Sequence, residues 1–374
     1  MKRFFSNILA AVIALTVLGT ILELAVRVFV DKSYYVFTPA AGDWVEDTVL
    51  GWHNKPNYEA RDVRYGEVVD YKTNIDGFRP ASVEREKPPH TLRVLLIGNS
   101  TVAARDMRDE ESIHHYLDSL LDLSGAEFEV VNTGVIGYAT DQALLTLKKY
   151  IADYSPDFVC YGYCVNDLYA NTSHEYSGLS KPIFKLTGDS LLLEPPIKQN
   201  VDICREQGER SLSSLIQYSA LYGLLRPYIQ RIRISHSHQS ALEQGGMGDF
   251  EVYARPLDKE PCMVVLARLV KEMDKVCRER SAKFLFYAHP DLAAVWEPYR
   301  QAIGGTSIPN HFVETKLEEI AKMDSVAFVP FVDYFLERKE LGPFHHIPKD
   351  PHCNAVGYQL EAQVLAAAIL SRKE

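Results

Sequence analysis

The chain has 374 residues, 47% of them hydrophobic, and a formal net charge of -10. That length suits one large domain or a domain with additions, and the apolar fraction is sufficient for a packed core. The acidic balance, with no basic stripe interleaved with aromatics, excludes a nucleic-acid partner, because a phosphate backbone demands clustered Lys and Arg.

Lys2 and Arg3 precede a largely apolar stretch over residues 4–30, interrupted by Ser6, Asn7, Glu23 and Arg27. At about 1.5 Å per residue, a helix of this extent crosses roughly 30 Å of bilayer hydrocarbon. Glu23 and Arg27 stand i,i+4 near its exit, where they can pair or snorkel. The basic start favours a cytoplasmic N-terminus. The expectation is an uncleaved single-pass anchor in the cell (inner) membrane, with the remainder on the extracytoplasmic side. A cleaved signal peptide is the rival, but no small-x-small site follows the apolar core cleanly. The domain reading is therefore an anchor at 1–30, an irregular lead-in at 31–91, and one domain at 92–374.

In the lead-in, residues 50–57 read as turn-rich, 68–72 as a short strand and 74–80 as a second turn. A βα rhythm then begins. Residues 93–97 form an unbroken aliphatic run, the pattern of a strand covered on both faces. Helices are predicted over 113–121 and 140–150, with strands over 128–132 and 158–163 between and after them. Pro261 opens a long amphipathic helix, 284–287 and 327–331 are two more strands, and 355–370 is a closing helix. Five strands alternating with helices predict an α/β three-layer sandwich on a mostly parallel sheet, in the flavodoxin-like order. The stretch at about 169–259 fits this rhythm poorly and reads as an insertion. Within it, the basic run at 226–233 with Tyr228 reads as a solvated helix face.

Four polar signatures fall at the carboxyl ends of the first three strands and just before the last helix. They are Gly98-Asn99-Ser100, Thr133-Gly134 through Gly137, Cys164-Val165-Asn166-Asp167, and Asp350-Pro351-His352. Each alone also fits a plain turn or helix cap. Together they supply a nucleophile, backbone donors, a side-chain amide, and a base with its carboxylate, at positions that converge on one sheet edge. His289 and Asp291 follow the fourth strand, where they either touch the cleft or face solvent. His345 and His346 read as packing or solvated groups. Six cysteines are scattered without a Cys-x-x-Cys pair; Cys160 and Cys164 read as core packing, and neither a metal nor a cofactor is expected.

From residue 93 onward these blocks resemble the SGNH, or GDSL-like, hydrolase superfamily. The first block is Gly-Asp-Ser in that family and Gly98-Asn99-Ser100 here, with the changed residue outside the catalytic triad. The third keeps Asn166 and Asp167 but has Cys164 where glycine is usual, and the last has Asp-x-His spacing rather than Asp-x-x-His. The lead-in and the run Gly137 to Gln142 look like a bacterial branch with an N-terminal membrane segment. The resemblance implies Ser100 as nucleophile, His352 as base, Asp350 as its partner, and an oxyanion site made by the N–H groups of Ser100 and Gly137 and the Asn166 amide. The implied activity is ester hydrolysis or O-acyl transfer on acyl groups, above all acetyl, of a surface glycan or lipid. The alternative is a catalytically impaired module that binds acylated polysaccharide. A phosphate-binding flavodoxin-like module is disfavoured, since the first turn lacks a glycine-rich cradle.

Overall fold

The structure is a computed structural model that describes residues 2–37, 43–188, 190–200, 219–244, 261–302, 309–346 and 352–373. Lys2–Phe29 is one helix, α1, long and apolar enough to cross a membrane, and packed on the body only near its end, where Val26 is buried with Tyr35 and Ala220. Near its end Glu23 accepts from Arg27 Nε at 2.8 Å. The same carboxylate accepts from Ser219 Oγ and from the N–H groups of Ala220 and Leu221, at 2.8, 2.8 and 2.9 Å. It thereby caps the helix Ala220–Gln244, whose first N–H groups have no partner within the helix.

The lead-in is more ordered than its composition suggests. Strands β1 (Trp44–Asp47) and β2 (Gly51–Asn54) pair antiparallel, as do β3 (Glu59–Arg64) and β4 (Glu67–Lys72). The stretch expected as turn-rich at 50–57 keeps turns at 50 and 56–57 but holds strand β2 between them, all four residues of which are buried. Its aromatic and polar side chains are consumed by docking onto the body, which local turn chemistry does not reveal.

The body is built on five parallel strands. Leu92–Gly98 is β5; the four-residue helix α2 (Ser100–Ala103) and then α3 (Ile113–Asp122) follow it. Phe128–Asn132 is β6, Thr140–Tyr154 is α4, Phe158–Tyr163 is β7 and Asp167–Ala170 is α5. Two small hairpins come next: β8 (Glu175–Tyr176) with β9 (Leu179–Ser180), and β10 (Ile183–Thr187) with β11 (Ser190–Glu194). The sheet resumes with β12 (Lys283–Ala288) and ends with β13 (Ala327–Val329). The order β13-β12-β7-β5-β6 is the flavodoxin-like one, all parallel. The last strand is shorter than expected because Phe331 already leads into the helix Val332–Leu336.

Alternation along β5 divides the core in two. Leu95 and Ile97 pack with Leu144 of α4, Leu266 of the helix Pro261–Glu279 and Leu317 of the helix Phe312–Met323. Val94 and Leu96 face the other way, onto Leu117 of α3 and Leu365 of the helix Ala355–Leu370. Each such buried aliphatic side chain contributes about 1.5–3 kcal/mol. The closing helix starts where Asn354 Oδ1 accepts from the Gly357 N–H at 3.1 Å.

The basic run at 226–233 is docked rather than simply solvated. Arg226 pairs with Asp62 at 2.7 Å and Arg231 with Glu67 at 2.6 Å, so the β3–β4 hairpin, with acids at complementary positions, holds this helix. Cys160, Cys164, Cys262, Cys277 and Cys353 are all buried, with no disulfide among them; Cys204 lies outside the described residues.

Candidate active site

The strand β5 delivers Ser100 to the carboxyl edge of the sheet through a tight passage. A Cβ at Gly98 would stand 2.5 Å from Val102 Cγ2 and 2.7 Å from Gly162 O, so only glycine fits. Ser100 then opens α2, half-buried. A four-residue helix cannot sustain itself, since isolated helices shorter than about 12 residues are marginal. Here its carbonyls are held from outside by three distant elements. Tyr358 Oη donates to Thr101 O at 2.8 Å and Asn132 Nδ2 to Val102 O at 2.6 Å. Arg79 Nη1 donates to Ala103 O and Ala104 O at 3.2 and 2.9 Å. Arg79 itself is buried, pairs with Asp109 and lies over the Tyr71 ring.

Asn99 joins the first block to the third. Its Oδ1 accepts from the Thr101 N–H and hydroxyl at 3.0 and 2.8 Å. Its Nδ2 donates to Asn166 Oδ1 at 3.2 Å and to Asp167 Oδ1 at 2.8 Å. An aspartate here could not donate, so the departure from Gly-Asp-Ser has a structural role that the sequence reading discounted. Asp167 is fully enclosed, with Tyr161 Oη 2.9 Å from its second oxygen. Burial pushes its carboxyl up to about 7, while the Asn99 and Tyr161 bonds pull the other way.

The second block lies on α2 and is tied to β5: Val135 N–H donates to Gly98 O at 3.2 Å. Gly137 has φ +80°, the left-handed region that favours glycine. The lead-in strand β2 runs along this loop. Asn54 Nδ2 donates to Gly134 O, Trp52 Nε1 to Ile136 O, Tyr138 Oη to Trp52 O and Gln142 Nε2 to Leu50 O, at 3.1, 3.0, 2.5 and 2.7 Å. Among the described residues, no atom accepts a hydrogen bond from the N–H of Ser100 or of Gly137.

The first hairpin of the insertion reaches the same place. Tyr176 lies against Gly137, and Asn166 Nδ2 donates to its hydroxyl at 3.2 Å. The hairpin is anchored by Lys181, whose Nζ bonds Asp141 Oδ2 at 2.5 Å, both side chains having no exposure. Ser100, Gly137 and Asn166 are therefore linked through Asn99, the 133–137 loop and Tyr176.

Of the last block only His352 is among the described residues. His352 is half-buried just ahead of the closing helix, its carbonyl accepting from the His346 N–H at 3.3 Å. His346 stacks on Tyr65 and sits 3.0 Å from Met107 Sδ, and buried His345 lies 3.0 Å from Pro290 O. Asp350 lies outside the described residues. His289, expected to touch the cleft or face solvent, does not face solvent. It is buried below α2, with Nδ1 2.8 Å from Glu361 Oε1, because the residue after β12 keeps the strand's inward parity toward the closing helix. Asp291 caps the short helix Leu292–Val295. Sequence reasoning missed Arg79, Trp52 and Tyr176 as parts of this arrangement; Arg79 was within a noted turn and Trp52 within a noted motif, whereas nothing local marked Tyr176.

No family model and no curated protein matches the chain. Among solved structures, 53 chains match. One is a lipase/acylhydrolase from Enterococcus faecalis, 11% identical, covering 75% of this chain and 96% of its own, with a TM-score of 0.37. A psychrotrophic esterase from Pseudoalteromonas sp. is 12% identical, covers 75% and 97%, and has a TM-score of 0.37. A catalytic mutant of an acetylxylan esterase from Geobacillus stearothermophilus is 13% identical, covers 74% and 94%, and has a TM-score of 0.37.

Proposed function

We propose that the protein is a serine-dependent ester hydrolase or O-acyltransferase acting on acyl esters, acetyl above all, of a surface glycan or lipid. The observation that carries this reading is the convergence just described: the residue before Ser100 bonds Asn166 directly, and the Ser100 and Gly137 N–H groups have no acceptor among the described residues.

In the proposed reaction His352 takes the Ser100 proton as Oγ attacks the acyl carbon, and Asp350 orients the imidazole and stabilises its charged form. The tetrahedral oxyanion accepts from the Ser100 and Gly137 N–H groups and from the Asn166 amide. Collapse expels the alcohol, protonated by the imidazolium, and leaves acyl-Ser100. Water resolves this intermediate in a hydrolase, and an acceptor hydroxyl resolves it in a transferase. The helix Lys2–Phe29 serves as a single-pass membrane anchor with the catalytic body outside the cytoplasm, and 31–91 and 169–259 are additions to the hydrolase body.

The test is incubation of the full chain in detergent with a small acetyl ester and a fluorophosphonate probe. Turnover and labelling are expected, and both are lost in Ser100→Ala. Labelling that persists in that variant removes Ser100 as nucleophile; intact protein with neither activity favours the acyl-polymer-binding module.

A further inference from the structure

The donors assigned to the oxyanion are held by residues from outside the α/β body. Trp52 belongs to β2 in the lead-in, and Tyr176 to β8 in the insertion. Trp52 is fully buried, and its Nε1 donates to Ile136 O. The Ile136 carbonyl and the Gly137 N–H belong to one trans peptide, so they point in opposite directions. A donor that fixes the carbonyl on the Trp52 side therefore fixes the N–H on the other side. The indole also limits the backbone: a Cβ at Gly137 would lie 3.2 Å from Trp52 Cζ2 and 3.0 Å from two ring carbons of Tyr176.

The Asn166 amide is held at both ends. Asn99 donates to its oxygen, so its nitrogen must face Tyr176, to whose hydroxyl it donates at 3.2 Å. That bond engages one of two amide hydrogens and leaves the other to donate elsewhere. The Tyr176 hydroxyl accepts here and so carries no proton into the same bond. Its ring, meanwhile, lies against Gly137. One side chain thus sets the spacing between two of the three donors. The hairpin carrying it is fixed by the buried Lys181–Asp141 pair, and Asp141 is in the first turn of α4, four residues after Gly137.

We infer that Trp52 and Tyr176 are positioning residues for the oxyanion site: Trp52 aims the Gly137 N–H, and Tyr176 aims the Asn166 amide. The inference rests on Ser100 being the nucleophile. Preorganisation of this kind acts on the transition state more than on the bound ester, because charge develops on the oxygen only as the tetrahedral species forms. The loss of one positioning bond is therefore expected in kcat, with KM little changed.

The test uses the full chain, with Tyr176→Phe, Trp52→Phe, and both together. Tyr176→Phe keeps the ring and deletes only the hydroxyl of a half-buried side chain, so it retains the fold even where the buried Trp52→Phe does not. Two readouts are compared: kcat and KM on a small acetyl ester, and the affinity of a small alkyl boronic acid, a tetrahedral mimic. Tyr176→Phe is expected to lower kcat about tenfold, the factor for one ordinary hydrogen bond. It should weaken the boronic acid by a similar factor and leave KM within about twofold. Kinetics and boronic-acid affinity that both match wild type overturn the inference while the serine mechanism stands. An equal weakening of ester and boronic acid, seen as a rise in KM with kcat unchanged, assigns Tyr176 to substrate binding and also overturns it. Wild-type protein that neither turns over the ester nor binds the boronic acid overturns the serine-hydrolase reading itself, and the inference with it.

Discussion

Asp167→Asn is the perturbation whose size follows most directly from the structure. The carboxyl is buried, and its ordinary value of 3.8 is raised to about 7. In the unfolded chain it titrates near the ordinary value. Between about pH 4 and 7 the native protein therefore keeps a proton that the unfolded chain has released. The unfolded state binds fewer protons in that window, so stability falls as pH rises across it and is flat on either side. About three units at 1.36 kcal/mol each amount to roughly 4 kcal/mol. Asparagine carries no such dependence. Its oxygen still accepts from Asn99, and its amide nitrogen meets the Tyr161 hydroxyl, which can accept. Urea unfolding of both proteins, followed by fluorescence at about pH 4, 6 and 8, isolates this term, since every other group contributes equally. The variant should gain roughly 4 kcal/mol relative to wild type between the first and last pH. A stability difference that stays constant with pH refutes the assignment of this carboxyl as a buried, proton-holding group.

Arg79→Ala strips the donor from Ala103 O and Ala104 O and leaves His114 as the remaining partner of Asp109; it is expected to cost about 3 kcal/mol in urea unfolding and to lower fluorophosphonate labelling of Ser100. Lys181→Met leaves Asp141 buried and unpaired, at a cost of about 3–5 kcal/mol in thermal unfolding, whereas adding Asp141→Leu should restore most of the loss.

The α/β body was legible because its signals are periodic. Residues 94–97 and 158–163 are continuous runs without a charged residue, and 128–132 is mostly apolar, as strands of a doubly covered sheet require, and Pro261 and Asn354 announce their helices locally. The blocks around Ser100, Gly137 and Asn166 were legible as complementary chemistry at strand ends. The parts that escaped are those fixed by long-range partners. Residues 50–57 look like a turn because Gly51, Asn54 and Pro56 are turn formers, yet β2 is buried by bonds to residues some eighty positions away. Asn99 looked incidental because its two acceptors, Asn166 and Asp167, belong to another block. His289 was left between cleft and solvent because nothing nearby in sequence announces Glu361.

The side-chain donors on the α2 carbonyls redefine what counts as the smallest autonomous piece of this molecule. Excising everything ahead of β5 would preserve all five sheet strands. It would also remove Arg79 from two carbonyls beside Ser100 and Trp52 from the peptide before Gly137. The amputated body would keep its architecture and lose the scaffolding of its own reactive corner, so any soluble version must begin upstream of Trp44 rather than at the first strand of the sheet.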